Sequence, residues 1–339
     1  MINLTKKIRI HKKLNKEIKV FFKNVNNDSI FSSLSLIDFI AKILKLKPNF
    51  FCLYQNRNIN SIIPFFIKRN RKYGAVINSL PFFGSYGGIY YRKEYEDDAK
   101  ECLTHYNNFS SKKNILSSTI IANPLNENLS INFKDFKNNF EDVRYIQFIN
   151  LGKKLNISSS RIRNIKKAKK LGYKVFVSND ASVVDKLYSL HKKHMKLVGG
   201  KKKPKIFFEK LKRLDNKFWK IYYTKNSNNK IIATLLVFFG KKITEYYIPA
   251  CIERYKNSQV LSLLTMKSIE DSIKHNFKIY NFGATWLNQT NLYNFKKKWG
   301  CEEKKYRYLI KYNSKKKLRL QDLKNKYEFF YVAPYNNFY

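Results

Sequence analysis

The chain has 339 residues, 44% of them hydrophobic, and a formal net charge of +44 from 68 Lys and Arg against 24 Asp and Glu. That length is too great for one small domain and suits two of about 150 residues, with apolar content enough for real cores. Four cysteines, Cys52, Cys102, Cys251 and Cys301, stand far apart with no CxxC, which argues against a zinc site or a disulfide framework and for a reducing cytosol.

The charge predicts a basic surface that favours polyanions: tRNA, anionic lipid or diphosphate-linked precursors. Abundant Lys, Asn and Ile with scarce Gly and Pro point to base composition as one source of that charge. It does not account for so few acids. The start, MINLTKKIRIHKK, is basic but leads into no apolar stretch of signal-peptide length, and runs such as IIPFFI are too short to cross a bilayer. The expected location is cytoplasmic, with peripheral contact at the inner membrane face.

In chain order, residues 1–30 read as a basic lead-in with one strand, IKVFF. Residues 32–46 have helical spacing at Leu34, Ile37, Ile40, Ile43 and Leu44. FFCLY and SIIPFFI read as a strand pair around a QNRNIN turn, and YGAVINSL as a third strand leading into PFFGSYGG. An acid-rich helix over 94–106 follows, then strands NILSSTIIAN and VRYIQFIN.

From about residue 151, SSSRIRNIKKAKKLGYKVFV reads as a serine-started helix, with Ile162, Ile165 and Leu171 as its core stripe, and then a strand. Helices over 181–197 and 206–214 flank the loop GGKKKPK. WKIYYT, KIIATLLVFFG and ITEYYIPA are strands, the last two a hairpin turning at Gly240, Lys241 and Lys242. A long helix over 258–275, the strand KIYNFG and the strand YRYLIKY complete the pattern, followed by a basic tail with a helix. The fold class is α+β. His191 and His194 have the i, i+3 spacing of a metal pair, but no carboxylate stands near them and they read as surface residues; no metal is expected. No HExxH, GxSxG, Walker A or GxGxxG pattern occurs.

The most informative stretch is YNFGATWLNQTNLYNFKKKWG, residues 280–300. A strand runs into Gly283, and after a polar loop a short helix stops at Gly300. At about 3.6 residues per turn, Leu292, Phe295 and Trp299 share an apolar face, Lys297 and Lys298 point away, and Lys296 lands beside Leu292 on the buried side. A lysine so placed either meets an anion or a task, or packs its stem and snorkels its ammonium to water.

YNFG, a variable loop, then LYxFKxxWG resembles the end of the second domain of the Fem-type transferases and their Fem-like, GNAT-like acyltransferase relatives of envelope polysaccharide loci. The resemblance spans about Asn78 to Tyr312. It implies two GNAT-like domains with a cleft between them and no coiled-coil arm: residues 1–150, residues 151–312 carrying the motif, and a basic tail, 313–339, packing back on the first domain. Phe295 and Lys296 match the Phe-Lys pair at the family's transfer site, and Tyr247, with Tyr246 next, matches a strand tyrosine that contacts the bound precursor. Tyr293 and Trp286 join them as substrate contacts. The family's SLPxxxYGG segment implies Tyr86, Gly87 and Gly88, and its basic helix implies Arg161 and Arg163. Lys203 and Phe207 stand where the family has Arg and Tyr, so the bidentate fork and a hydroxyl are lost and the substrate differs.

The implied reaction is acyl or aminoacyl transfer to an amine of an envelope precursor, a peptidoglycan peptide or an amino sugar. Lys296 and Tyr247 serve as the catalytic pair, and the acceptor is lipid- or nucleotide-diphosphate-linked. No cofactor is held tightly; the donor is aminoacyl-tRNA or acyl-CoA, and the expected state is a monomer. Residues 254–260 contain no glycine where acetyltransferases cradle the CoA pyrophosphate, which weighs against CoA. The competing readings are an acyl-CoA-dependent N-acetyltransferase of envelope sugars and a non-catalytic basic module that binds RNA or membrane.

Overall fold

In the computed structural model, which describes residues 6–25, 28–125, 131, 133–286, 288–314 and 318–333, the first departure from the sequence reading comes at IKVFF. It is helical, within α1 (Lys16–Asn24). The Asn15 side chain accepts a hydrogen bond from the Ile18 N–H at 2.9 Å, and Ile18, Phe21 and Phe22 are buried while Val20 is 48% exposed. A cap and an i, i+3, i+4 stripe outweigh the β-propensity of the segment. The strand of the lead-in is β1 (Lys6–His11) instead. Residues 1–5 of the lead-in and 315–317 and 334–339 of the tail lie outside the described residues.

The chain forms two compact units, one from Met1–Asn27, Phe31–Arg144 and Lys305–Tyr339, the other from Asp28–Ile30 and Tyr145–Lys304. In the first, the elements after α1 are α2 (Leu34–Leu44), β2 (Asn49–Gln55), β3 (Asn58–Asn70), β4 (Gly74–Asn78), β5 (Tyr90–Tyr91), α3 (Glu96–Ser110) and β6 (Ile115–Ile121). β1, β2, β3 and β4 pair antiparallel in sequence order, and β5 adds a short pairing to β3. α3 is the crossover that lets β6 lie parallel to β4. Phe51 and Phe65 meet Tyr106 of α3 with ring centroids 5.4 and 5.8 Å apart, inside the core of this unit.

The far end of the chain completes this sheet. The strand over residues 302–312 pairs antiparallel with β6. A final helix, Leu320–Lys326, follows, and the segment after it is tied by Asn78, whose side chain both accepts from the Tyr331 N–H and donates to the Tyr331 carbonyl, at 2.7 and 2.8 Å.

The second unit contains, after β7 (Phe140–Asn150), α4 (Ser159–Lys170), β8 (Phe176–Ser178), α5 (Ala181–Leu197), α6 (Lys205–Leu211), β9 (Trp219–Lys225), β10 (Ile231–Phe239), β11 (Ile243–Cys251), α7 (Val260–Lys274), β12 (Ile279–Thr285) and α8 (Thr290–Lys297). β8 to β11 are an antiparallel meander, α7 crosses over, and β12 lies parallel to β11. Residues 145–150 of β7 close the sheet antiparallel to β12.

Both units therefore follow one plan: a four-strand meander, a crossover helix, a parallel pair and an antiparallel closing strand. In neither unit is the closing strand the next one along the chain. β7 follows β6 but closes the second sheet, and β13 (Glu302–Tyr312) follows β12 but closes the first.

Candidate functional site

The decisive local feature of β12 is a bulge. Asn281 faces Phe148 of β7, but Ala284 faces Ile146, so β12 carries one extra residue, and Gly283 takes φ +75°. The Asn281 side chain accepts from the Gly283 N–H at 2.8 Å. The kink turns the strand's last carbonyls toward α8, where Lys296 takes them: its Nζ donates to Gly283 O at 2.8 Å, Thr285 Oγ1 at 2.6 Å and, more loosely, Ala284 O at 3.4 Å.

Lys296 is only 4% exposed, so its ammonium does not snorkel to water. Burial pushes it down to about 7. Lys297 and Lys298 are exposed. The helix wheel errs at Leu292, which is 43% exposed; α8 has only two turns and rests on the sheet through its C-terminal end, where Trp299 is fully buried.

Arg161 belongs to the same cluster. The sequence places the core stripe of α4 at Ile162, Ile165 and Leu171, but Ile162 and Leu171 are 43% and 55% exposed, and Arg161, Ile165 and Ala168 are buried instead. The helix, capped by Ser158, is turned so that the Arg161 guanidinium lies 4.2 Å from the Phe295 ring centroid and 5.7 Å from that of Trp299. Its Nη1 donates to Ser262 Oγ at 3.2 Å, its Nε has no partner, and burial lowers its pKa. Arg163, two residues on, is exposed and lies outside the cluster.

A second cluster forms around Tyr247 on β11. Its ring stacks on Phe207 at 5.9 Å and meets Phe238 edge-on at 4.9 Å, and the Lys203 ammonium lies 4.5 Å above it. Burial brings Lys203 down to about 7 and raises Tyr247. The neighbouring Tyr246 faces the other side of the sheet and packs on Phe282, itself stacked on Trp299. The hydrogen bonds of Lys296 all go to β12 and none to Tyr247.

No protein-family model matches this chain, and no curated protein sequence matches it. Solved structures do. FemX superimposes with a TM-score of 0.68 at 11% identity, over 94% of this chain and 99% of that one. L-PGS from Bacillus licheniformis gives 0.59 at 11% identity, over 94% and 98%, and a tandem GNAT protein from the clavulanic acid biosynthesis pathway gives 0.51 at 7% identity, over 91% and 100%. The chain has the Fem-like GNAT fold.

On this Fem-like GNAT fold the segment before α7 is a 3-10 turn, Glu253–Ser258, and Gln259 takes φ +62°. The N–H groups of Tyr255 and Gln259 are already bonded to Ile252 O and Lys256 O, both at 3.0 Å. The turn thus lacks glycine and has two amides committed internally. Tyr293 is half-buried and its hydroxyl donates to Glu303, which raises its pKa. Trp286 is half-buried, with its backbone N–H toward Gln289 Oε1 at 3.4 Å.

Tyr86, in the first unit, is buried against Phe31 and Tyr306, with ring centroids 4.9 and 5.9 Å away. Gly87 donates to Ile121 O at 2.8 Å, and a Cβ there would come within 3.0 Å of Ser79; Gly88 has φ +109°. Close backbone packing accounts for Gly87, and the positive φ for Gly88.

Two polar residues have no place in the sequence reading, and His191 has the wrong one. Glu245 is 3% exposed and accepts from Ser29 Oγ at 2.8 Å and Asn281 Nδ2 at 2.6 Å, two positions before Tyr247. It is the only carboxylate between residues 231 and 251, which was the available signal. Gln147 donates to Tyr293 O at 3.1 Å and leaves its buried Oε1 without a partner. His191, expected at the surface, is 4% exposed: the α5 face carrying it packs on α6, its Nε2 accepts from the Lys203 N–H at 3.0 Å, and burial pushes it down to about 4. His194 is half-buried and also lowered by burial.

Proposed function

We propose that this protein is an acyl- or aminoacyltransferase that moves an acyl group from an ester of tRNA onto the amine of a diphosphate-linked cell-envelope precursor in the cytoplasm. The observation that carries this reading is the buried Lys296 ammonium held at the β12 bulge beside Phe295 and Arg161.

The acceptor amine attacks the ester carbonyl carbon, a C–N bond forms, and negative charge develops on the carbonyl oxygen. The C–O bond then breaks, and the departing hydroxyl takes the proton released by the amine. Two N–H groups of Lys296 are held by short bonds; the third has only a long contact, to Ala284 O at 3.4 Å, and is the one with capacity left for a developing oxyanion. Such a preorganised donor in a dry site is worth about 10²–10³ in rate. Tyr247, Phe207 and Lys203 form an aromatic-cationic surface suited to orienting an anionic precursor, and positioning supplies much of the remaining acceleration.

The +44 charge supports a polyanionic donor, and the glycine-free turn before α7 disfavours CoA. The test is transfer from aminoacyl-tRNA to amine-bearing precursors by the full chain, with Lys296→Met beside it. Loss of product in the variant, with the thermal transition retained, supports the reading. Product from acetyl-CoA alone would replace it with an N-acetyltransferase.

A further inference from the structure

Two adjoining cavities of the first unit, about 370 and 310 Å³, open beside the β2–β3 turn. Asn56 and Arg57 make that turn with φ +50° and +67°, between Gln55 and Asn58, which face each other in the ladder. Two left-handed residues in a two-residue hairpin normally call for glycine at the second position. Here a full arginine side chain is held in the disfavoured region, and Arg57 lines both cavities. A side chain kept in that conformation needs a compensating reason.

The lining supplies one. Lys16 and Arg92 join Arg57 in the larger cavity, and Lys7 and Arg9 join it in the smaller. Against these five cations stands one lining carboxylate, Glu17, and it already accepts the Tyr54 hydroxyl at 2.6 Å. Lys7, Arg9, Lys16 and Arg57 make no ion pair among the described residues; Arg92 reaches Glu94 at 3.5 Å. Like charges gathered around concave space favour a multiply charged anion, and guanidinium forks match phosphoryl oxygens.

We propose that these cavities bind a diphosphate group, held by the Arg57 guanidinium that lines both. The lining lies wholly in the first unit, and the test reads binding alone, so its failure is distinguishable from failure of the transfer reading.

The experiment is titration calorimetry of the full chain with pyrophosphate, orthophosphate and sulfate at matched ionic strength. It is repeated on Arg57→Gly and, as a control for net charge, on Lys274→Ala at an exposed lysine of α7. Glycine suits φ +67°, so Arg57→Gly should keep or raise the melting temperature without ligand. The expected result is pyrophosphate binding that weakens at least tenfold in Arg57→Gly and is unchanged in Lys274→Ala. The proposal is overturned if Arg57→Gly binds pyrophosphate within twofold of the parent, if Lys274→Ala weakens it equally, or if orthophosphate or sulfate binds as tightly.

Discussion

The Gly283 carbonyl oxygen lies 2.8 Å from the Lys296 ammonium because an extra residue in β12 turns that carbonyl out of the strand. The bulge and the lysine thus act as one device. The glycine accepts a left-handed φ of +75°, and the lysine satisfies the carbonyls that the bulge frees. The first prediction follows from that pair. Lys296→Met should lower transfer at least about 10²-fold and destabilise the fold by about 1–3 kcal/mol, since buried acceptors lose their donor. Single-turnover kinetics and urea unfolding measure the two effects separately.

Lys296 also sets a pH dependence with opposite signs for stability and activity. Its value falls from 10.5 in an exposed lysine to about 7 in the fold. Between those values the unfolded chain binds a proton that the folded chain does not, so stability rises with pH across the window and is flat below it. Lys296 contributes a slope of at most about 1.4 kcal/mol per pH unit, and Lys296→Met should remove that share while the like contribution of Lys203 remains. Transfer that needs the ammonium should instead decline as pH rises above about 7. Unfolding curves and single-turnover rates at several values from pH 6 to 9 check both signs.

Arg161 holds Phe295 by stacking and Ser262 by a hydrogen bond. Arg161→Lys keeps the charge but loses the flat face and the fork, so it should recover little of the loss caused by Arg161→Ala, about 1–3 kcal/mol of stability. Urea unfolding of the two variants should show that ranking.

Gly300 and Gly283 have nearly the same φ, +76° and +75°, but different surroundings. A Cβ at Gly300 would run into the Asn156 carbonyl, while nothing lies within 4 Å of one at Gly283. Gly283→Ala should cost about 1–2 kcal/mol from conformation alone, and Gly300→Ala clearly more. Equal shifts in melting temperature would contradict this.

Tyr247→Phe removes only a hydroxyl from a stacked ring. If Tyr247 orients the acceptor, KM for the acceptor should rise several-fold with kcat little changed, whereas a drop in kcat alone would make it a participant in the chemistry.

Several features were legible because their causes are local. The Gly300 stop and the β10–β11 hairpin at Gly240 follow from spacing and from the conformational freedom of glycine, whereas the wheel put Lys296 on the inner side of α8 and left open whether its ammonium reaches water. The face of α4 was misread for a physical reason. Periodicity locates an apolar stripe, but Phe295 and Trp299 receive a guanidinium, so Arg161 is buried and Ile162 is not. IKVFF was misread because propensity was weighed without Asn15, whose cap starts a helix.

By itself, the sequence determined the alternation of strands and helices, the helix that ends at Gly300, the lysine on its inner side and the want of glycine before α7. Only the tertiary structure decided that β7 and β13 close each other's expected sheets, that the β12 bulge aims two carbonyls at Lys296, and that Glu245 and His191 are buried. Helical and strand periods depend on neighbours a few residues away. Strand partners, bulges and the burial of a lone polar group depend on contacts between segments far apart in the chain, which no local pattern records.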